Sequence, residues 1–127
     1  MPLVRISLRK GKPASYVKAI GDAVHRAFVE AASAPADAKF IVVSEHEAGE
    51  LVFPPSYMGV PKSDGIVIIQ ATMNAGRTIE VKRALYAKIA ELLEKDAGVK
   101  KQDVVISLLE VPRENWSWGD GEMTYVK

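Results

Sequence analysis

Apolar and polar residues alternate at the start of the chain. From residue 3 to residue 8 the alternation places Val4, Ile6 and Leu8 on one face, the period of two of a half-buried strand. A helical period follows over about residues 14–32, with an apolar stripe made of Tyr16, Val17, Ile20, Val24, Ala27, Phe28 and Ala31. A second strand is predicted at residues 40–43. The pattern therefore predicts a strand, a helix and a strand.

The same pattern returns 65 residues later. The region from Gly11 to Val43 lies over Gly76 to Leu108 without a gap, and apolar and polar positions correspond although identities are few. In the second copy we predict a strand at residues 65–69, a helix over about 78–95 and a strand at 104–109. Thr78 is a suitable N-cap for this helix and Gly98 a suitable terminator.

Two such units predict an α/β (α+β) domain with a four-stranded sheet and two helices on one face. The predicted boundaries are a β-α-β repeat at 1–46, a connecting loop at 47–64, a second β-α-β repeat at 65–110 and a C-terminal hairpin at 111–127. Residues 66–69 and 104–106 are apolar on both faces, as in strands covered on two sides. We therefore expect a symmetric oligomer that covers the open face of the sheet.

Composition narrows the classes of function. The chain has 127 residues, a net charge of +1, no cysteine and two histidines. This excludes disulfide and thiolate chemistry, disfavours a metal site, and gives no basic surface for nucleic acid. No apolar run approaches the roughly 18 residues of a membrane span, and no signal peptide opens the chain, so we expect a cytoplasmic protein without a membrane partner.

The candidate for catalysis is Pro2. Proline after the initiator methionine permits methionine removal, which would turn Pro2 into a secondary amine on a rigid ring. Free α-amino groups titrate near ~7.7–8.0, and an apolar pocket lowers the pKa of an ammonium further. Because Pro2 directly precedes the first strand, that amine would be fixed to a rigid element. The alternative is that Pro2 is only a common residue at this position.

Several segments together resemble one family. These are Pro2 on strand one, the two strand-helix-strand halves, Gly76-Arg77-Thr78 at the start of the second helix, and Asn115-Trp116-Ser117-Trp118-Gly119 near the end. The combination resembles the tautomerase superfamily, and most closely its malonate semialdehyde decarboxylase branch. The resemblance covers nearly the whole chain.

The resemblance implies a homotrimer with no cofactor and a small carboxylate substrate. Pro2 would be the catalytic residue, acting as a base in tautomerases and as an acid in the decarboxylase. Arg77 would bind the substrate carboxylate, a role that suits the two-pronged guanidinium. Further residues matched to the substrate pocket are Trp116, Trp118 and Tyr125 on its apolar wall and Lys62 as a second positive charge.

One departure from the family pattern bears on the reaction. The decarboxylase relatives carry an acid at the position of Ala38, and Asp37 lies one place earlier. On a strand entry that shift would turn the carboxylate to the opposite face, so we do not expect Asp37 to substitute. Keto-enol tautomerisation of a 2-oxo acid such as phenylpyruvate needs no such acid and is favoured. Two alternatives stay open: decarboxylation or hydration of a 3-oxo acid with protonated Pro2, and a non-catalytic, ferredoxin-like module that binds a small ligand.

Overall fold

The computed structural model describes residues 2–127 and contains one four-stranded mixed sheet with two helices. The elements are β1 (Leu3–Arg9), α1 (Ala14–Ala32), β2 (Phe40–His46), β3 (Ser56–Tyr57), β4 (Val60–Pro61), β5 (Val67–Asn74), α2 (Ile79–Ala97) and β6 (Val104–Val111). The strand order in the main sheet is β2-β1-β5-β6, and β3 pairs with β4 in a separate two-stranded hairpin. The predicted fold class is confirmed.

Helix α2 begins and ends as its sequence predicts. The Thr78 side chain accepts a hydrogen bond from the Val81 N–H at 3.2 Å, and Gly98 ends the helix in the left-handed conformation with φ +70°. Helix α1 spans the predicted residues and ends on Ser33, which adopts a similar left-handed conformation with φ +57°. Both ends use backbone N–H groups beyond the helix to satisfy its last carbonyls.

The internal repeat is confirmed in the backbone pairing. Leu3 pairs with Phe40 in the first half, and Val67 pairs with Val104 in the second, so both parallel pairs have the same offset of 37 residues (40 − 3 and 104 − 67). Between the halves, Leu3 faces Thr72. Adding 65 to one residue and subtracting it from the other converts this pair into Ser7 and Ile68, which also face each other. The two halves are therefore related by a pseudo-twofold axis between β1 and β5.

The core lies between the sheet and the helices. Its fully buried side chains come from the same face of β1 and β5 and from the inner stripes of both helices, among them Ile6, Ile69, Phe28, Leu85 and Ile89. The opposite face of the sheet stays open in the single chain, and Val42 and Leu109 expose 41% and 47% of their surface there. Exposed apolar side chains on this face support the expected self-association.

The structure corrects the sequence interpretation in three places. Strand β5 spans Val67–Asn74, so it extends past the predicted end at residue 69. The predicted loop at 47–64 contains the β3–β4 hairpin, with Met58 and Gly59 at positive φ in its turn. The C-terminal segment reverses direction without strands, since a hydrogen bond from the Glu122 N–H to the Gly119 carbonyl forms a turn instead of a ladder.

The strand order also overturns the ferredoxin-like alternative. In that fold the β-α-β unit is split, with another strand between its two parallel strands. Here β1 and β2 are direct hydrogen-bonded neighbours, as are β5 and β6. Within residues 2–127, neither helix combines the length and the apolar character that crossing a bilayer requires.

Candidate active site at the start of strand β1

Pro2 lies buried at the start of an interior strand. The next residue, Leu3, pairs with Phe40 at the start of β2 and with Thr72 near the end of β5. Because β1 and β5 are antiparallel, Pro2 is next to the last residues of β5, where Asn74 precedes the Gly-Arg-Thr segment. Burial of this position agrees with the apolar environment that would lower the pKa of a prolyl amine.

Asn74 connects the parts of the site. It is one of two buried polar or charged residues found in the described part of the chain, with 6% of its surface exposed. Its side-chain Oδ1 accepts a hydrogen bond from the Trp116 Nε1 at 2.7 Å, and its backbone carbonyl accepts one from the Arg77 Nη1 at 3.2 Å. Asn74 therefore fixes both the predicted wall and the predicted anchor. Asn74 is not among the predicted site residues, although a polar residue that ends an apolar strand shortly before Gly76 is a usable signal.

The aromatic residues form one continuous wall. The rings of Trp116 and Trp118 stack with centroids 4.7 Å apart and an interplanar angle of 11°. The Trp118 ring contacts Phe40 at a centroid distance of 4.6 Å. The two tryptophans are therefore in direct contact. Since Phe40 pairs with Leu3, the wall reaches the strand position adjacent to Pro2.

Arg77 is held in place by backbone carbonyls. Its Nε and Nη2 donate to the carbonyl of Ala32, the last residue of α1, at 3.3 and 3.0 Å, while the Nη1 donates to Asn74. These contacts use three of the five guanidinium N–H groups, and one remains on each terminal nitrogen. Two parallel N–H groups are what bidentate capture of a carboxylate requires. Arg77 is thus oriented by the fold and still able to donate to a ligand.

Gly76 is required by the backbone at this point. Its φ of +122° lies in a region that residues with a side chain rarely adopt, and Gly11 at the equivalent position in the first half has φ +117°. The unusual backbone turns the chain from the end of β5 towards the N-terminus of α2. Arg77 therefore reaches Ala32 because a glycine precedes it.

A cavity of about 270 Å³ opens beside the aromatic wall. It is lined by Pro35, Asp37, Ala38, Phe40, Trp118 and Tyr125. The Trp118 Nε1 is buried and has no hydrogen-bond acceptor within residues 2–127. A buried donor without a partner is costly and commonly marks a functional position. Two of the predicted wall residues, Trp118 and Tyr125, therefore lie around one cavity.

The structure overturns the reasoning that removed Asp37 from the site. Strand alternation does not apply there, because β2 begins only at Phe40 and residues 36–37 form a turn. The Ala38 N–H donates to the Pro35 carbonyl at 3.0 Å and closes that turn. As a result Asp37 and Ala38 line the same cavity.

Lys62 does not join these residues within one chain. Its Nζ donates to the backbone carbonyl of Gln102, which lies just before β6. Since β6 is parallel to β5 and β5 runs opposite to β1, this position is at the far end of the sheet from Pro2. The seven residues of β1 separate the two ends by about 20 Å.

The charge near Arg77 is balanced locally. Glu110 at the end of β6 accepts a hydrogen bond from the Lys82 Nζ at 2.6 Å. This bond, with the attraction of the same lysine, the Gly76 N–H and Arg77, lowers the pKa of Glu110 below its ordinary value. Glu110 therefore stays ionised at neutral pH and limits the net positive charge at this end of α2.

Comparison with known proteins agrees with this architecture. Two sequence models, both described as tautomerase enzyme, match residues 38–119 and 2–61. The probable tautomerase YusQ of Bacillus subtilis (strain 168) is 33% identical over the full length of both chains. The probable tautomerase YrdN of the same organism is 29% identical over 99% of this chain and 97% of its own. The chain belongs to the tautomerase superfamily.

Solved structures place it near one branch of that superfamily. Malonate semialdehyde decarboxylase, described with decarboxylase and hydratase activities, is 30% identical with a TM-score of 0.90, covering 97% of this chain and 95% of its own. FG41 malonate semialdehyde decarboxylase, inhibited by 3-bromopropiolate, is 36% identical with the same TM-score, covering 97% and 93%. A native fused 4-OT, 21% identical with a TM-score of 0.80 over 98% of both chains, shares the fold.

Proposed function

We propose that this protein is a keto-enol tautomerase that uses Pro2, freed by removal of Met1, to move a proton on a small 2-oxo acid such as phenylpyruvate. The observation that carries the proposal is the position of Asn74, which lies beside the start of β1 and binds both Arg77 and Trp116. It brings a cationic anchor and an apolar wall to the strand end that carries the proline. The tautomerase family supports the class of reaction.

The proposed reaction needs one group that both accepts and returns a proton. The neutral Pro2 amine removes the hydroxyl proton of the enol, the carbonyl forms, and the resulting ammonium delivers a proton to the neighbouring carbon. The amine is regenerated, and no proton is gained or lost overall. Arg77 holds the substrate carboxylate through its two remaining N–H groups, so the reacting carbons stay beside the proline. Burial disfavours the charged form of the amine and so favours the neutral base.

The test combines the state of the N-terminus with turnover. Intact mass must show the loss of Met1, because otherwise the Pro2 nitrogen is an amide and cannot act as a base. The processed protein should convert phenylenolpyruvate to phenylpyruvate, and Pro2→Ala should lower kcat/KM at least 100-fold, within the range for loss of a general base. Pro13→Ala, at the exposed N-cap of α1, is the matched control. Equal rates for the protein and Pro2→Ala would refute the proposal.

A second candidate is decarboxylation of a 3-oxo acid such as malonate semialdehyde, with Pro2 protonated. The specific observation in its favour is that Asp37 lines the cavity. A carboxylate there can orient a water molecule or hold Pro2 in its charged form. Carbon dioxide release that is lost in Asp37→Asn, and retained in Asp120→Asn on an exposed turn, would favour this reaction. Enol conversion unaffected by Asp37→Asn favours the tautomerase.

A further inference from the structure

The pseudo-twofold symmetry of the chain extends beyond its strands and helices. Four backbone hydrogen bonds of the first half, each from an N–H to a carbonyl, have a counterpart 65 residues later in the second half. In the first half they run from Ala34 to Phe28, from Ala38 to Pro35, from Lys10 to His46 and from Glu50 to Glu47. Their counterparts, in the same order, run from Val99 to Leu93, from Asp103 to Lys100, from Ala75 to Val111 and from Asn115 to Pro112. The 3-10 turns Ala48–Glu50 and Arg113–Asn115 also correspond. These backbone features of the Pro2 end therefore recur at the opposite end of the sheet.

The residues at the opposite end that correspond to the Pro2 site include a cationic anchor but no free amine. Lys12 takes the place of Arg77 after a glycine of matching conformation. Phe53 takes the place of Trp118. Val67 takes the place of Pro2, and its nitrogen is a backbone amide in mid-chain. The acid position that Ala38 leaves empty is occupied in this half by Asp103, a buried carboxylate that accepts hydrogen bonds from the N–H and hydroxyl of Ser63.

A cavity lies at this opposite end of the sheet. Its volume is about 470 Å³, and it is lined by Leu8, Arg9, Lys10, Gly11, Lys12, Tyr16, His46, Glu47, Ala48, Asp64, Gly65 and Ile66. A smaller adjoining cavity of about 240 Å³ shares Lys12, Tyr16 and Gly65 and reaches Asp103. The space is larger than the cavity beside Trp118, so a small organic acid has room.

Of the lysine and arginine side chains that line the large cavity, Lys12 is the one that is not paired with a carboxylate of the described residues. Arg9 is engaged by Asp64 at 2.7 Å and by the carbonyls of Ala48 and Leu51. Lys10 pairs with Glu47 at 2.9 Å. The Lys12 Nζ instead lies over the Tyr16 ring, 5.4 Å from its centroid, and forms no ion pair with the described residues. A cation held over an aromatic ring is pre-positioned without being neutralised.

Further donors surround Lys12. The N-cap of α1 is Pro13, which provides no side-chain cap, and the first turn of this helix contains no acidic residue. Helix α2 differs, because Thr78 caps it and Glu80 occupies its first turn. The Arg9 Nε is buried without an acceptor within residues 2–127. Burial and the charge of Asp103 raise the pKa of Tyr16, so its hydroxyl remains a donor.

We propose that this cavity is a second, non-catalytic site for a small organic carboxylate, with Lys12 as its anchor. The carboxylate binds between the Lys12 ammonium and the uncapped N-terminus of α1, and the apolar part of the ligand packs on Leu8, Ile66 and the Tyr16 ring. The ligand is not turned over, because Val67 has no free amine. This inference does not need Pro2 to be catalytic.

The test is a titration of the full-length, isotope-labelled protein with benzoate, which cannot tautomerise, followed through backbone amide signals. We expect saturable shifts at Gly11, Lys12 and Gly65 that reveal a site separate from any at Gly76. Lys12→Ala should weaken the apparent affinity at Gly11 at least tenfold, while Lys12→Arg should retain it. Both variants should leave the enol conversion rate unchanged.

Three outcomes would overturn the proposal. The first is the absence of saturable shifts at Gly11 under benzoate. The second is that sodium chloride at equal ionic strength reproduces these shifts. The third is that Lys12→Ala leaves the shifts intact. If the enzyme assay fails but Gly11 still reports Lys12-dependent binding, the proposed function is wrong and the second site stands. If benzoate shifts the Gly76 signal but not the Gly11 signal, the second site is wrong and the proposed function is unaffected.

Discussion

The Trp116 indole donates a hydrogen bond to the side chain of Asn74 at 2.7 Å, in a buried contact between residues 42 positions apart. This bond attaches the C-terminal segment to the end of β5, next to the start of β1. It therefore determines where the aromatic wall lies relative to Pro2. A buried donor that loses its acceptor costs about 1–3 kcal/mol.

Replacing Asn74 tests this connection. Asn74→Leu should lower the free energy of unfolding in urea by about 1–3 kcal/mol, because the Trp116 N–H would be left unpaired in a buried position. Trp116→Phe combined with Asn74→Leu removes both partners, so the double variant should be less destabilised than the sum of the singles. Additive losses would mean that the hydrogen bond does not couple the two residues.

Replacing Arg77 separates its structural and ligand-binding contributions. Arg77→Lys retains the charge but has one nitrogen in place of three, so it cannot keep all three hydrogen bonds to Ala32 and Asn74, and we expect the free energy of unfolding to fall by about 1–2 kcal/mol. The KM for phenylenolpyruvate should rise at least tenfold. Arg83→Lys, on the exposed surface of α2, is the control for charge and helix propensity. An unchanged KM with lower stability would assign Arg77 a purely structural role.

The open sheet face gives a prediction about assembly. Val42→Glu replaces an exposed apolar side chain with a charge on the sheet face that a neighbouring subunit should cover, so the oligomer should dissociate towards monomers in light scattering coupled to size exclusion. Ala87→Glu, on the exposed side of α2, should leave the mass unchanged. A Val42→Glu protein of unaltered mass would show that this face is not the interface. The expected assembly is a homotrimer.

Asp22 makes part of the stability dependent on pH. It pairs with Lys18 and Lys39, both at 2.6 Å, and these lysines lower its pKa below the ordinary 3.8. A lowered pKa means that the unfolded state binds a proton more readily, so this contribution is present above about pH 4 and is lost as the pH falls through the folded pKa. Because the Asp22 side chain is partly exposed, we expect its ion pairs to contribute roughly 0.5 kcal/mol to the free energy of unfolding.

The measurement for Asp22 is urea unfolding between pH 2.5 and 6. Asp22→Asn should be less stable than the parent at pH 6, and the two should converge at the lowest pH. Asp120→Asn, on an exposed turn, should follow the parent throughout. A constant difference between Asp22→Asn and the parent would show that the ion pairs make no contribution.

The sequence predicted the elements that depend on local pattern. Helix α1 and the caps Thr78 and Gly98 follow from periodicity and residue type within one segment, and the repeat followed from comparing two segments. The predicted end of strand β5 at residue 69 is too early. Gln70 and Thr72 face the open side of the sheet and interrupt the apolar run by which the strand was recognised.

The parts of the candidate site that were missed depend on distant contacts. The hydrogen-bond partner of buried Asn74 is Trp116, which lies far along the chain. Strand alternation predicts that Asp37 faces away from the site, but residues 36–37 form a turn closed by the Ala38 N–H, so strand alternation does not apply to Asp37. The prediction that Lys62 joins the substrate pocket depends only on its position in the connecting loop. The sheet topology shows that Lys62 lies by Gln102, at the opposite end of the sheet.

The most direct test of the central claim is the pH dependence of kcat/KM for enol conversion by the protein lacking Met1. If Pro2 is a neutral base in a buried position, the rate should rise with pH through a pKa below the ~7.7–8.0 of a free α-amino group. The same pKa should appear in a direct titration of isotope-labelled Pro2. A rate that falls as Pro2 loses its proton would contradict the base mechanism and assign the proline the role of an acid.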